Sequence, residues 1–312
     1  MVKQLHISKG QNLTNFLLEL EIKGDLITWD GLICEGPTVA GIDSDEFIET
    51  RKQFLREFYN IEFDEIEFKR ELSKLNKNSG YTEIVLWFEY ELFCHMNLIA
   101  VINLIHQREI DLPIYLVCSG RIEGEKDLKG LNELSKKQLM QHYKDKVRLQ
   151  ASDLDLAISL WRTYCGKDHN LLIPYITQKS SFKYMTNCLK AHLKRFPDSK
   201  SGLDVIEHNI LKIIKEKHVN SLHHLLGYSI YYQGYYGYSD FQLKRKIKNL
   251  EIFFDKMEDK LELNRKGHEA LLQVHNYASE INNHMVYGGI ERLDYQFNVE
   301  KNKLIKTALN AN

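Results

Sequence analysis

The period of the apolar positions changes near residue 125. Before it, short apolar runs alternate with amphipathic stretches. Leu5-His6-Ile7 reads as a strand and Lys9-Gly10 as a turn; Leu13, Phe16, Leu17 and Leu20 then recur at helical spacing until Gly24. Residues 25–29 form a second strand pattern. The connection between the two is far too long for a hairpin, so the segment predicts a right-handed parallel strand–helix–strand unit. A turn-rich loop runs from Asp30-Gly31 through Gly36-Pro37 to Gly41 and leads to two charged amphipathic helices over 44–58 and 64–75. The run 83–88 is almost continuously apolar and rich in strand formers, as expected of a strand covered on both faces. An apolar helix over 92–105 and a fourth strand over 113–118 complete the pattern. It predicts an α/β domain over 1–125: an open, Rossmann-like parallel sheet with helices on both faces.

From about Glu133 the period is helical, over 134–143, 154–164, 184–196 and 204–217. The stretch 120–130, with three glycines and six charged residues, marks the boundary, and 126–312 reads as a mainly α-helical part. Near its end come a helix over 240–250, two short strands at Phe253-Phe254 and 261–263 around Glu258-Asp259, and a helix over 266–274. Helix, two-stranded wing, helix is the order of a winged-helix-like unit, placed at about 204–275.

Composition changes this picture little. With 43% hydrophobic and 27% charged residues in 312, the chain falls in the globular range. Lys and Arg number 42 against 43 Asp and Glu, so the net charge of −1 gives no global field for a polyanion or an anionic membrane. The start lacks a secretory pattern and no apolar run approaches ~18 residues, which predicts a cytoplasmic protein without a membrane partner. Five cysteines are scattered, odd in number and never spaced C-x-x-C, as in a reducing compartment.

In open parallel sheets the ligand crevice lies beyond the carboxyl ends of the strands. The first strand leads to His6 and Ser8-Lys9-Gly10, the second to Asp30 and Cys34-Glu35-Gly36-Pro37, the third to Glu89 and Glu91, and the fourth to Ser119-Gly120. This convergence predicts a site for a small polar or anionic molecule, with catalysis left open. His6 is the acid–base candidate, Asp30 its partner and Glu91 a further carboxylate. Lys9, Gly10, Glu35, Gly36 and Ser119 would line the site, and Arg51 and Arg195 would contact an anion. Each residue also has a plainer role. A lone strand histidine is commonly a hydrogen-bonded structural residue, Asp30-Gly31 and Gly36-Pro37 are turn formers, and Glu91 complements a helix dipole. Gly10 stands alone, so neither G-x-G-x-x-G nor a P-loop is present and no cofactor is specified. H-E-x-x-H, G-x-S-x-G and EF-hand patterns are absent, and no metal site is predicted.

A competing expectation is nucleic-acid binding through the C-terminal unit. Lys244, Arg245, Lys246 and Lys248 give its helix a basic face, and the segment 228–238 interleaves tyrosines with glycine in a composition able to stack on bases. Glu251, Asp255, Glu258 and Asp259 dilute that face, and tyrosines packing a helix end explain the segment equally. Oligomeric state is not legible.

Several segments together resemble a bacterial family known as domain of unknown function 1835 (DUF1835), with a companion C-terminal domain similar to DUF3658. The residues that carry the resemblance are His6-Ile7 with Gly10, Trp29-Asp30 with Glu35-Gly36-Pro37, Arg51, and Leu86-Trp87-Phe88. In the C-terminal half they are Trp161, His192-Leu193-Lys194-Arg195-Phe196-Pro197 with Gly202-Leu203, and Gly237-Tyr238-Ser239-Asp240 with Gln242. The family implies no activity. Where it tends to show an aspartate after the Trp-Phe strand, this chain has Glu91 or, in another register, Glu89, a longer arm that would place a cation differently.

Overall fold

A computed structural model describes residues 3–307. The chain starts with β1 (Gln4–Lys9), α1 (Gln11–Glu19), β2 (Asp25–Trp29), the two-residue β3 (Gly36–Pro37), α2 (Asp45–Tyr59), α3 (Glu65–Ser73), β4 (Glu83–Phe88), α4 (Leu92–Gln107) and β5 (Ile114–Cys118). A hairpin of β6 (Gly120–Arg121) and β7 (Leu128–Lys129) leads to α5 (Lys136–Lys144), β8 (Val147–Arg148), α6 (Ala151–Tyr164) and α7 (Met185–Leu193). Then come α8 (Val205–Glu216), α9 (Leu222–Tyr231), α10 (Asp240–Asn249), β9 (Phe254–Lys256), β10 (Leu261–Leu263) and α11 (Arg265–Leu271). The last elements are α12 (Ala278–Ile281), β11 (Val286–Gly288), β12 (Ile290–Glu291), β13 (Tyr295–Asn298) and β14 (Lys303–Lys306).

The fold is α/β, with a parallel sheet in the N-terminal region flanked by helices. Strand order is β2-β1-β4-β5-β8, the first four parallel and β8 antiparallel to β5. Alternation along the strands explains why both faces are dry. Leu5, Ile7, Ile84, Leu86 and Phe88 point to the face covered by α4, whose residues 92–105 are buried all round. Val85, Trp87 and Val117 point to the other, where Leu13 and Leu17 of α1 and Leu139 of α5 cover them. Helix starts follow local chemistry: Ser44 caps α2 by accepting from the Phe47 N–H, and Asn60 closes it in a left-handed conformation.

One apolar core crosses residue 125. Leu98 and Ile102 of α4 share it with Leu160 and Trp161 of α6, Leu189 of α7 and Tyr287 of β11. The sheet itself takes β8 from beyond that boundary, and β3 pairs in parallel with β11, Gly36 opposite Tyr287. The order helix, hairpin, helix expected over 240–274 is present as α10, antiparallel β9–β10 and α11. The strands β11 to β14 were not foreseen; at two to four residues each, they are too short to show a period of two.

Three buried histidines are locked as neutral rings. The indole N–H of Trp87 donates to His6 Nδ1 at 3.1 Å, which leaves Nε2–H to donate to the Lys23 carbonyl at 3.1 Å. Further along, Arg195 donates to His192 Nδ1 at 2.7 Å, His192 Nε2–H to His169 Nδ1 at 2.8 Å, and His169 Nε2–H to the Tyr164 carbonyl at 2.7 Å. A guanidinium can only donate, so the direction of this relay is fixed. Burial lowers all three pKa values, that of His169 to about 4. Their stabilising contribution is complete above the unfolded-state value of about 6.5 and is lost as pH falls towards 4, by up to about tenfold in the folding constant per pH unit per histidine. Urea unfolding between pH 7.5 and 4.5 will show this decline, and a His169→Gln, His192→Gln double variant will show a shallower one.

Candidate functional site

Three of the four parallel strands end at one pocket of about 410 Å³. Lys9, Gly10, Gln11 and Asn12 follow β1; Asp30, Gly31 and Leu32 follow β2; Glu89, Glu91, Phe93, Cys94 and Asn97 follow β4. The opposite wall comes from Asn132 and from Gly237, Ser239 and Gln242 at the start of α10.

The backbone sets this geometry. The N–H groups of Leu92 and Phe93, which α4 cannot satisfy itself, donate to the carbonyls of Tyr235 (2.7 Å) and Tyr236 (3.1 Å). That seam lays the segment 235–242 across the strand ends. Gly237, at φ 79°, packs against Glu91; a Cβ there would sit 2.5 Å from Glu91 Oε2. Such a residue must be glycine.

Three helices start at the pocket, and they are not equivalent. The end of α4 is taken up by the two tyrosine carbonyls, and α10 carries its own capping box, Ser239 with Gln242, plus Asp240 in its first turn. By contrast α1 starts at Gly10 with no capping side chain and no acid in its first turn. Gly10 has φ 79°, its N–H donates to the Trp29 carbonyl at 3.0 Å, and the space beside its Cα is open. Beside it Lys9, half-buried, forms no ion pair within 4.0 Å among the described residues. This corner favours negative charge.

Across the pocket stand carboxylates. Glu89 Oε1 accepts from the Leu131 N–H at 2.6 Å, and Cys94 Sγ lies 3.9 Å from Glu89 Oε2. Burial, then the neighbouring Glu89, pushes Glu91 up to about 8, while Lys9 opposes the shift; burial also raises Glu89. Glu89, Glu91 and Cys94 each offer one ligand atom within 4.8 Å of the others, a spacing able to hold a cation.

Of the predicted residues, Lys9, Gly10, Asp30 and Glu91 therefore meet at one pocket. The others lie elsewhere, and these are corrections. His6 is fully buried in mid-strand beneath Trp87 and Tyr143 and cannot pair with the exposed Asp30. Alternation turns it to the α1–α5 face, and Lys23, which precedes β2, takes its Nε2–H, so the ring points to the amino end of β2. Arg51 is buried and donates to the carbonyls of Leu32 (2.6 Å), Glu35 (2.8 Å) and Pro37 (2.9 Å), clamping the loop after β2. Glu35 is buried behind the pocket wall, accepting from Tyr59 and from Gln242 Nε2. Gly36 pairs with Tyr287. Ser119 is buried outside the pocket, and Arg195 is fully buried away from it, donating to the Cys34 carbonyl and His192 with its guanidinium over the Tyr287 ring.

The basic face of α10 is likewise dismantled. Lys246 is buried against Asp204, and Arg245 lies 3.9 Å over the Phe58 ring and bonds Asn283. Lys244 is paired with Asp240; Lys248 is exposed. Charge does not tell these residues apart; spacing does, since Lys246 falls on the face buried with Gln242, Leu243 and Ile247 while Lys244 and Lys248 share the exposed one.

Sequence reasoning missed Cys94, Asn97, Asn132, Gly237, Ser239 and Gln242 as pocket residues. Asn97 had no local signal: it lies one turn beyond Phe93, its side chain tied to Trp29 Nε1 (2.7 Å) and the Phe93 carbonyl (2.7 Å). A second cavity of about 390 Å³ between the end of α4, the start of β5 and α6 is lined by Ile105, Leu112, Ile114, Leu154 and Ile158 with a few charges at its rim, and none of the predicted residues reaches it.

No protein-family model and no curated protein matches the chain. Among solved structures, the DNA-binding, cleavage and re-ligation domain of Plasmodium falciparum topoisomerase II shares 12% identity with a TM-score of 0.47. The alignment covers 83% of this chain and 43% of that one, so the chain spans less than half the length of that structure. Among the described residues no helix is long and apolar enough to cross a membrane.

Lys246 and Lys248 make a direct comparison. Lys246→Glu sets a third carboxylate against Asp204 and Glu207 and will cost at least about 3–5 kcal/mol in urea unfolding. Lys248→Glu will stay within about 0.5 kcal/mol of the parent protein.

Proposed function

We propose that this protein binds a small polar or anionic ligand at the carboxyl edge of its parallel sheet. The observation that carries the reading is the polarity of the pocket. An uncapped helix start beside Lys9, which forms no ion pair among the described residues, lies on one side, and two carboxylates with displaced pKa values lie on the other. The ligand's anionic end sits at Gly10 and Lys9, where backbone N–H groups and the helix dipole favour it. Its hydrogen-bond-donating end, or a divalent cation carried with it, faces Glu89 and Glu91. Strongly displaced carboxylates in a cleft are a common mark of functional sites, which keeps catalysis within this reading. The resemblance to DUF1835 belongs to the proposal and adds no activity to it. Nucleic-acid binding through α10 loses its support with the burial of Lys246 and the stacking of Arg245.

A thermal-shift screen of nucleotides, phosphosugars, amino acids and divalent ions tests the reading. At least one compound should raise the melting temperature, and Lys9→Ala or Glu91→Gln should weaken its binding tenfold or more while the protein stays folded. A screen without hits, or hits indifferent to both variants, contradicts it.

A further inference from the structure

The short connection from β4 into the first turn of α4 carries three side chains able to ligate a metal: Glu89, Glu91 and Cys94. One ligand atom from each lies within 4.8 Å of the others, and all three residues line the sheet-edge pocket. Proximity of acids is common on protein surfaces. What sets this group apart is how the fold disposes of each member's other bonds.

Glu91 occupies the N-cap position of α4, where a side-chain oxygen ordinarily accepts from the first helical N–H groups, yet it makes no capping bond. The N–H groups of Leu92 and Phe93 go instead to the carbonyls of Tyr235 and Tyr236. The seam thus releases the Glu91 carboxylate from its structural role and leaves it to the pocket. Among the described residues no side-chain hydrogen bond replaces the cap, and Gly237 closes against it. Glu89 is held differently. Its Oε1 accepts from the Leu131 N–H at 2.6 Å, which orients the group and leaves Oε2 on the side of Cys94, as outer partners orient ligating carboxylates. Cys94 is 3% exposed, and among the described residues the one acceptor its thiol reaches is Glu89 Oε2, at 3.9 Å.

Charge is the second part of the case. No Lys, Arg or His nitrogen lies within 4.0 Å of either carboxylate among the described residues. Water can bond to the free oxygens but brings no positive charge to two carboxylates this close. A divalent cation binds both and takes the thiol as thiolate. Carboxylates suit hard ions and thiolates soft ones, so the mixed set of two oxygens and one sulfur suits zinc or its cobalt analogue better than magnesium or calcium. Three protein ligands leave a fourth position open, the arrangement of catalytic rather than structural zinc sites. The pocket of about 410 Å³ has room for a water or ligand atom there.

We infer that Glu89, Glu91 and Cys94 form a site for one zinc-type divalent metal, with a coordination position open to the ligand whose anionic end meets Lys9 and Gly10. For the occupant of that position the inference rests on the ligand reading of this pocket; the metal itself is tested apart from it.

Cobalt(II) is the probe. Full-length protein is stripped with a chelator, kept reduced with a phosphine and titrated with cobalt chloride. The expected result is a near-ultraviolet sulfur-to-cobalt charge-transfer band that saturates at one cobalt per chain and is bleached by zinc. It should vanish in Cys94→Ser and need at least about tenfold more cobalt in Glu91→Gln. No such band, a band that persists in folded Cys94→Ser, or an unchanged affinity in folded Glu91→Gln overturns the inference. Should Cys94→Ser not fold, crystals of the parent protein soaked in cobalt chloride decide. An anomalous peak at the cobalt edge, bonded to Cys94 Sγ and to Glu89 or Glu91, is expected, and a map without it is the contrary result. Anionic compounds tested on the stripped protein separate the two readings. Compounds that bind it and weaken on Lys9→Ala, with no cobalt band, retain the ligand reading and defeat the metal; a cobalt band with no compound bound retains the metal and defeats the ligand reading.

Discussion

A helix that starts in the interior must find acceptors for its first N–H groups. In α4 these are the carbonyls of Tyr235 and Tyr236, supplied from more than a hundred residues away. Almost every other feature of the candidate site follows from that requirement. It fixes the segment 235–242 over the strand ends, brings Gly237 against Glu91, and makes Ser239 and Gln242 part of the wall. A pocket that a parallel sheet would leave open becomes one shared by both halves of the chain. The loop after β2 is held with similar firmness, by Arg51 on three carbonyls and by the pairing of Gly36 with Tyr287.

The interior has a division of labour among its polar groups. One group serves as rigid scaffolding with its ring nitrogens all assigned. His6 between Trp87 and Lys23, and the relay from Arg195 through His192 and His169 to Tyr164, belong to it. The second group is poised at the sheet edge, where Glu91 has no side-chain hydrogen bond that would satisfy it and Lys9 no ion pair, among the described residues. Reactivity and binding belong with groups whose valences are open. Closed valences belong with the fold.

Most of the architecture was legible because parallel strands covered on both faces must be apolar throughout. The run 83–88 and the helix over 92–105 could hardly be read otherwise. The position of the pocket was legible too, since topology alone assigns ligands to the carboxyl edge. The identity of its members was only partly so. A histidine in a strand carries no mark of where its ring points until the neighbouring strands fix the register, and His6 lies mid-strand, under the α1–α5 layer, with its ring towards the amino end of β2. Lys246 shows the limit of reading charge alone. One residue along a helix changes the direction of a side chain by about 100°, enough to separate a solvated cation from a buried ion pair. Contributions from Asn132, Gly237 and Gln242 depend on contacts across long stretches of chain, which local patterns do not encode.

The central claim, that the molecule's ligand site is the polar pocket at the sheet edge, is most directly tested by a crystallographic screen of small polar fragments. Fragments bearing a carboxylate or phosphate should cluster with that group at Gly10 and Lys9 and their donors towards Glu89 and Glu91. Fragments that collect instead in the apolar cavity between α4 and α6, leaving the sheet edge empty, would contradict it.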